Sequence, residues 1–374
     1  MTNKKSNKNR YWDISRILSK GADYNIVIGE RSNGKTYGTL EYALKKYVAD
    51  GSEVAYIRRW DEDIRGRRAS KVWDSLVTSG AVSRITNGEY KSISYYAGCW
   101  YLSNFDETLN KFVKAPTPFC YAFSLSSMEH DKSTSYDNVN TIIFDEFLTR
   151  KYYLNDEFVI FLNVISTIIR DRDNVKIFML GNTVNKYCPY FAEFGLKHIQ
   201  DMQQGKIDVY SYGKKGKTLT VAVEFCGNGK SSKPSDKYFA FDNPKLKMIT
   251  KGTWELAIYP HLPQGYRIKD RDIVFSYFIV FNDNILQGDI VSDDKSLFTY
   301  IHKKTTPIKN PEMDMIYSLE DTPLPNHFKD LLSNATKIQS KVAWFFVSKK
   351  VFYQSNEIGE IVRNFIAQSS HKPI

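Results

Sequence analysis

Eight consecutive residues, Gly29-Glu30-Arg31-Ser32-Asn33-Gly34-Lys35-Thr36, have the types and spacing that chemistry on a phosphate chain requires. They satisfy G-x-x-x-x-G-K-[ST] in full. Gly29 and Gly34 allow the tight path in which successive N–H groups point inward at phosphate oxygens. Lys35 is placed to reach the β- and γ-phosphates, and the Thr36 hydroxyl to ligate Mg²⁺. The alternative is a Gly-Lys turn with no ligand. Context decides against it: "YNIVIG" before the loop is a short apolar run suited to a buried strand, and Tyr37, Leu40, Ala43, Leu44 and Tyr47 after it recur at helical spacing. The loop is expected to hold ATP with Mg²⁺.

Such a loop needs an acid at a strand end to hold the Mg²⁺ shell. "VNTIIFDEF", Val139 to Phe147, supplies it: Thr141 to Phe144 read as a buried strand, with Asp145 and Glu146 at its C-terminal edge. Asp145 is the expected shell carboxylate of a neighbouring strand, and Glu146 the general base that polarises the attacking water. The bland reading is a solvated acid pair at a helix start. A third buried strand, "VKIFMLGNTVN", ends in Gly181-Asn182-Thr183. Asn182 is assigned to sensing the γ-phosphate or the lytic water, against an Asn-initiated turn.

Arginines accompany these strands. Between the last two lies an apolar helix that ends at Arg170-Asp171-Arg172. These arginines sit either on the ligand-bearing side of the sheet, on a subunit face, or in a solvated ladder. "EVAYIRRW", Glu53 to Trp60, is a further strand that carries Arg58 and Arg59 to the site side. Arg65, Arg67, Arg68 and Lys71 follow as a candidate contact to a phosphate backbone or an ordinary solvated face.

These side chains need a sheet and a core behind them. The chain has 374 residues, 42% of them hydrophobic, which suffices for a core and for two or three domains. The net charge of +10 suits a polyanionic partner such as nucleic acid, or a basic but ordinary protein. Cys99, Cys120, Cys188 and Cys226 form no C-x-x-C pair and lie near no histidine at metal-ligand spacing. No disulfide framework or zinc site is expected. The basic start "MTNKKSNKNR" is not followed by an apolar core, and "FVIFLNVISTII" is too short to span a bilayer. A soluble cytoplasmic protein without a membrane role is the expectation.

After Gly205 the texture becomes rich in Lys, Gly and Ser. Residues 1–204 are read as the P-loop domain, 205–271 as a basic linker domain with strands or a hairpin, and 272–374 as a small α/β domain. Within the last, "IVFSYFIVFNDNILQGDIV" predicts two strands joined at Asn282-Asp283-Asn284. "KVAWFFVSKKVFYQSNEIGEIVRNFIAQ" gives another strand-like segment and then an amphipathic helix from Glu357. A two-metal nuclease needs three or four convergent carboxylates. Asp283, Asp289, Asp293 and Asp294 are the acids on offer, in a turn and a loop as much as on strands, so an inert docking module is favoured.

"VIGERSNGKT", "EVAYIRRW", "DKSTSYDNVNTIIFDEF" and "STIIRDRDNVKIFMLGNTVNKYCPYF" stand in an order and spacing that resembles the DNA-packaging (encapsidation) ATPases of small podophages with protein-primed genomes. The likeness is dense from Asp23 to Phe194 and thin beyond. It implies a P-loop NTPase of the ASCE, RecA/terminase-like kind with a mainly parallel sheet. A linker and an RNase H-like domain without nuclease activity would follow it. It further implies a ring, usually a homopentamer, at the portal vertex of an empty procapsid in the host cytoplasm, driving double-stranded DNA inward with ATP. Some members dock through a packaging RNA. The family's arginine finger corresponds to Arg170. Where the family can carry a basic residue after its Arg-Arg-aromatic group, Asp61 stands here, and no role is carried to it. The rival readings are a large terminase with an active nuclease and a non-motor P-loop module.

Overall fold

The computed structural model describes residues 12–130, 135–149, 153–154, 156–182, 188–196, 198–199, 201–214, 217–226, 259–281 and 284–369. The chain divides into two compact units: Met1–Thr149 with Asp156–Trp254, and Arg150–Asn155 with Glu255–Ile374.

In the first unit the strands are β1 Tyr24–Gly29, β2 Glu53–Arg58, β3 Ser92–Tyr96, β4 Cys99–Asp106, β5 Lys111–Lys114, β6 Cys120–Ser124, β7 Val139–Asp145, β8 Lys176–Asn182, β9 Ile207–Lys214 and β10 Lys217–Phe225. Among the described residues they form one sheet in the order β3-β4-β6-β2-β7-β8-β1-β10-β9, with β5 on β4. The six strands from β6 to β10 in that order run parallel, and antiparallel strands close both edges. β1 is buried along its whole length and β2, β7 and β8 along most of theirs, as a sheet covered on both faces demands.

Two expectations are corrected here. The strand carrying Asp145 does not lie beside the P-loop strand, because β8 is inserted between them. Nor does a separate linker domain begin at 205. β10 pairs parallel with β1 from Tyr24↔Val221 to Ile28↔Phe225, and β9 pairs with β10. Val221, Ala222 and Val223 are fully buried, so this stretch belongs to the first core despite its basic flanks. Of the rest of the expected linker, 227–271, residues 227–258 lie outside the described residues.

The helix Lys35–Asp50 starts from Gly34 at φ 92° and stops at Gly51 at φ 76°, both left-handed positions that glycine takes without strain. It buries Thr39, Leu40, Ala43 and Leu44 against the sheet. The helix Glu157–Ile169 carries the chain from the C-terminal end of β7 back to the start of β8.

The second unit holds β11 Ile273–Phe281, β12 Asn284–Ser292, β13 Leu297–Lys303, β14 Ile316–Ser318, β15 His327–Phe328 and β16 Val351–Tyr353, in the order β15-β14-β11-β12-β13-β16. β11, β12 and β13 make an antiparallel meander, as the sequence led one to expect, while β14 adds parallel to β11 and β16 parallel to β13. Asn282 and Asp283 of the expected turn lie outside the described residues. Tyr277 packs over bare backbone at Gly288, where a Cβ would stand 2.3 Å from its ring. The strand-like stretch ahead of Glu357 divides in two: Lys337–Val347 is a helix, and Val351–Tyr353 is the short strand β16. Thr336 caps it by accepting from the Gln339 N–H, and Gln339, Val342 and Ala343 face inward at helical spacing. The final helix is Asn356–Ser369. No helix among the described residues is long and apolar enough to cross a membrane.

Candidate active site

The C-terminal ends of β1, β7 and β8 converge on a cavity of about 630 Å³ lined by Ser32 to Tyr37, Ser79, Asp145, Glu146, Leu180, Gly181 and Asn182. Within the loop, Ser32 at φ 60° and Gly34 at φ 92° turn the backbone through two left-handed positions, which sets consecutive N–H groups toward one concavity. Gly29 and its neighbours Glu30 and Arg31 do not line the cavity. Gly29 is needed for close packing instead: a Cβ there would stand 2.8 Å from Cys226 Cβ on the strand pair behind it. Asn33 folds over the lysine, its Oδ1 accepting from Lys35 Nζ at 3.1 Å.

Lys35 is 5% exposed. Its ammonium donates to the Gly29 and Glu30 carbonyls at 3.2 and 2.5 Å and to Asn182 Oδ1 at 3.4 Å. Burial brings its pKa down to about 8, against the pull of Asp145 and Glu30 nearby. A bound polyanion would favour the charged form again. Thr36 Oγ1 donates to Asp145 Oδ1 at 3.3 Å, so the two expected Mg²⁺ groups are adjacent. Their oxygens are the donor set a hard dication prefers. Tyr56, on β2, donates to the other carboxylate oxygen of Asp145 at 2.8 Å.

Glu146 follows with its backbone at φ 58° and its side chain 57% exposed, ion-paired to Arg58 at 2.6 Å. The strained backbone has a support. Arg59 is buried, donates to the carbonyls of Glu146 and Phe147 at 3.3 and 2.5 Å, and pairs with buried Glu157 at 2.7 Å. Glu157 also accepts from Tyr190 at 2.8 Å. The expectation that Arg58 and Arg59 reach the site side is met, with two different tasks. Tyr56, Glu157 and Tyr190 were not singled out from the sequence. Nothing in their spacing marks them, because each acts across strands or across a chain separation of 33 to 98 residues.

The arginines after the helix lie elsewhere. Arg172 donates to the carbonyls of Tyr136, Asp137 and Ile168 and to Asn140 Oδ1, which places it at the start of β7. Arg170, exposed two residues earlier, is at that same edge. β8 crosses about 20 Å between this edge and Asn182 at a strand rise of about 3.3 Å per residue. The reading that put Arg170 on the ligand-bearing side of its own sheet is therefore corrected: it stands at the opposite edge. Of the basic cluster, Arg65 pairs with Asp61 at 2.6 Å and Arg68 with Asp63 at 3.1 Å, an ion-paired solvated face.

A family model described as the podovirus DNA encapsidation protein (Gp16) matches residues 6–77 and 110–212, which contain the loop, Asp145, Glu146 and Asn182. Over these two segments, just under half of its length, the chain is similar to this family. The DNA packaging protein of Bacillus phage phi29 is 26% identical over 193 residues, 50% of this chain and 51% of that protein. The chain thus spans about half the length of the curated relatives it matches. Over nearly the full chain the fold recurs in solved structures. One is described as the Phi-28 gp11 DNA packaging motor, with a TM-score of 0.55 and 18% identity, covering 98% of this chain and 100% of that one. Another is the bacteriophage Phi-29 viral genome packaging motor assembly, at TM-score 0.54 and 20% identity, covering 96% and 100%.

Proposed function

We propose that this protein is an ATP-driven motor that translocates double-stranded viral DNA into an empty procapsid. The observation that carries the reading is the convergence of Lys35, Thr36, Asp145, Glu146 and Asn182 on one cavity, in a chain similar over those segments to DNA encapsidation proteins. The loop N–H groups and Lys35 hold the triphosphate. Thr36 and Asp145 would hold Mg²⁺, which supplies charge neutralisation on the phosphates when bound. Glu146, once released from Arg58, orients and polarises the attacking water. Asn182, bonded to Lys35 and one strand from Asp145, is positioned to report the γ-phosphate.

The topology supports a ring. An arginine at the edge of the sheet remote from its own cavity serves a transition state only in a neighbouring subunit, so Arg170 is assigned to act in trans. By family likeness the ring is a homopentamer at the portal vertex, with a packaging RNA as an optional partner. The second unit is read as an RNase H-like docking module, a reading supported by its meander with parallel additions. Nuclease activity is disfavoured because Asp289 is held in mid-sheet by Ser276, Gln287 and His302, and Asp293 closes a turn.

The test is hydrolysis of ATP with and without double-stranded DNA, across a salt series. Stimulation by DNA of any sequence, falling steeply with salt as phosphate contacts are lost, is expected. Hydrolysis indifferent to DNA at every salt concentration returns the chain to a non-motor nucleotide-binding protein. Cutting of plasmid in Mn²⁺ would make it a nuclease-bearing terminase.

A further inference from the structure

The phosphate end of the cavity is furnished by the loop, but 630 Å³ exceeds what a chain of phosphates fills, and the lining beyond them carries one aromatic ring, that of Tyr37. Tyr37 is the third residue of the helix Lys35–Asp50 and lines the cavity. Helical side chains lean back toward the N-terminus, which carries this ring toward the mouth of the loop rather than along the helix. Its hydroxyl meets Ser79 Oγ at 3.0 Å. Ser79 in turn donates to the Leu76 carbonyl at 3.2 Å, at the end of the short helix Asp74–Thr78. The ring is thus braced at its far end by a second segment, and Tyr37 is half-buried, packed in part against the core and in part lining the cavity.

We propose that Tyr37 is the shelf on which the nucleobase stacks, and that Ser79 holds the shelf in place. This rests on the reading of the loop as a triphosphate site. A phosphate chain whose γ end is at Asp145 and Asn182 leaves along the helix start, past Thr36, and arrives at Tyr37. Every base presents a π face, so stacking anchors the nucleoside without choosing among bases. Ser79 lies outside the two segments that the family model matches, and Tyr37 lies inside them.

Calorimetric binding of ATP and of inorganic tripolyphosphate to the full chain separates the two halves of the ligand. Tyr37→Ala weakens ATP binding roughly tenfold or more, the scale of one lost base–aromatic stack, and leaves tripolyphosphate binding unchanged. Tyr37→Phe keeps the ring and stays close to wild type. Ser79→Ala weakens ATP a few-fold and tripolyphosphate not at all. Unchanged ATP affinity in Tyr37→Ala overturns the proposal. So does an equal loss of both ligands, which makes Tyr37 a support of the helix start only. A wild-type chain that binds neither ligand overturns the triphosphate reading itself. Loss of both ligands in Lys35→Ala alone upholds that reading.

Discussion

Asp145 and Asp289 are both buried carboxylates on β-strands, one in each unit, and their surroundings differ in kind. Asp145 ends β7 at the lip of a cavity. Its direct partners are two hydroxyls, from Tyr56 and Thr36, and the N–H of Glu146, and the cation Arg58 stays 3.7 Å away. Asp289 sits in the middle of β12. Ser276 donates to it at 2.6 Å, Gln287 at 2.8 Å and His302 at 2.9 Å, across three adjacent strands. A carboxylate at a strand end beside a cavity can exchange its partners for a metal or a substrate. One held in mid-sheet by short hydrogen bonds and a histidine is occupied with holding the sheet. Asp293, the next acid, accepts from Tyr266 and from the N–H groups of Lys295 and Ser296, and so closes a turn. The comparison teaches that position at a strand end, more than residue type, separates a reactive carboxylate from a structural one.

The contrast is broken most severely at Lys35. Lys35→Ala removes the fixed cation that the loop directs at the phosphates, and is expected to abolish hydrolysis and weaken nucleotide binding. Wild-type turnover in that variant removes the loop from the active site.

Arg170→Ala is expected to bind ATP nearly normally yet hydrolyse it about 10³-fold more slowly, the scale of a lost arginine finger. Mixing it with Lys35→Ala subunits should restore part of the activity, since an intact loop then meets an intact finger. Rings shown to be mixed but inactive count against a finger acting in trans. Arg172 is a poor substitute, because its guanidinium is committed to the edge of β7.

Glu146→Gln should lower turnover about 100-fold with ATP still bound, the scale for a lost general base. Normal turnover places the base at another residue. Because Arg58 pairs with Glu146, Arg58→Ala is a sharper companion: it frees the carboxylate while Asp145 and Tyr56 remain in place.

The smallest effect belongs to the second unit. Asp289→Asn should leave hydrolysis unchanged and cost about 1–2 kcal/mol of stability, the scale of a charged hydrogen bond weakened. The pH dependence has a definite sign. The Asp289 hydrogen bond raises the pKa of His302, so its contribution is full below the ordinary histidine value and is lost as pH rises through the raised one. Burial alone would push Asp289 up, but donors from His302, Gln287 and Ser276 outweigh it and hold the carboxyl low. Its contribution is full above the ordinary carboxylate value and is lost as pH falls through the depressed one. The pair therefore stabilises most between about pH 4 and 6.5. Thermal unfolding of His302→Gln against wild type should show the largest gap in that window, and a gap independent of pH would refute the ion pair.

By itself the sequence determined the glycine loop from Gly29 to Thr36, the acids at the end of β7, Asn182 at the end of β8 and the β11–β12–β13 meander. Those features depend on local backbone needs: glycines for left-handed turns, short β-rich runs for buried strands, a lysine and a hydroxyl at fixed offsets. Tertiary structure alone decided the rest. Strand order is set by which apolar faces pair across long stretches of chain, so β8 between β1 and β7 left no mark on any one segment. Strands or a hairpin after Gly205 were legible, and β9 and β10 are that pair, but the basic texture concealed that they join β1, because lysines in the flanks outnumber the few buried residues, Val221 to Val223, at the joint. "KVAWFFV" is too short for its period to tell helix from strand, and the Thr336 cap with the inward set of Gln339, Val342 and Ala343 resolved it. Arg58, Arg59 and Tyr56 acquire their roles only when β2 is laid beside β7. A side chain's partner across a sheet is a property of register, and register is fixed by the whole core at once.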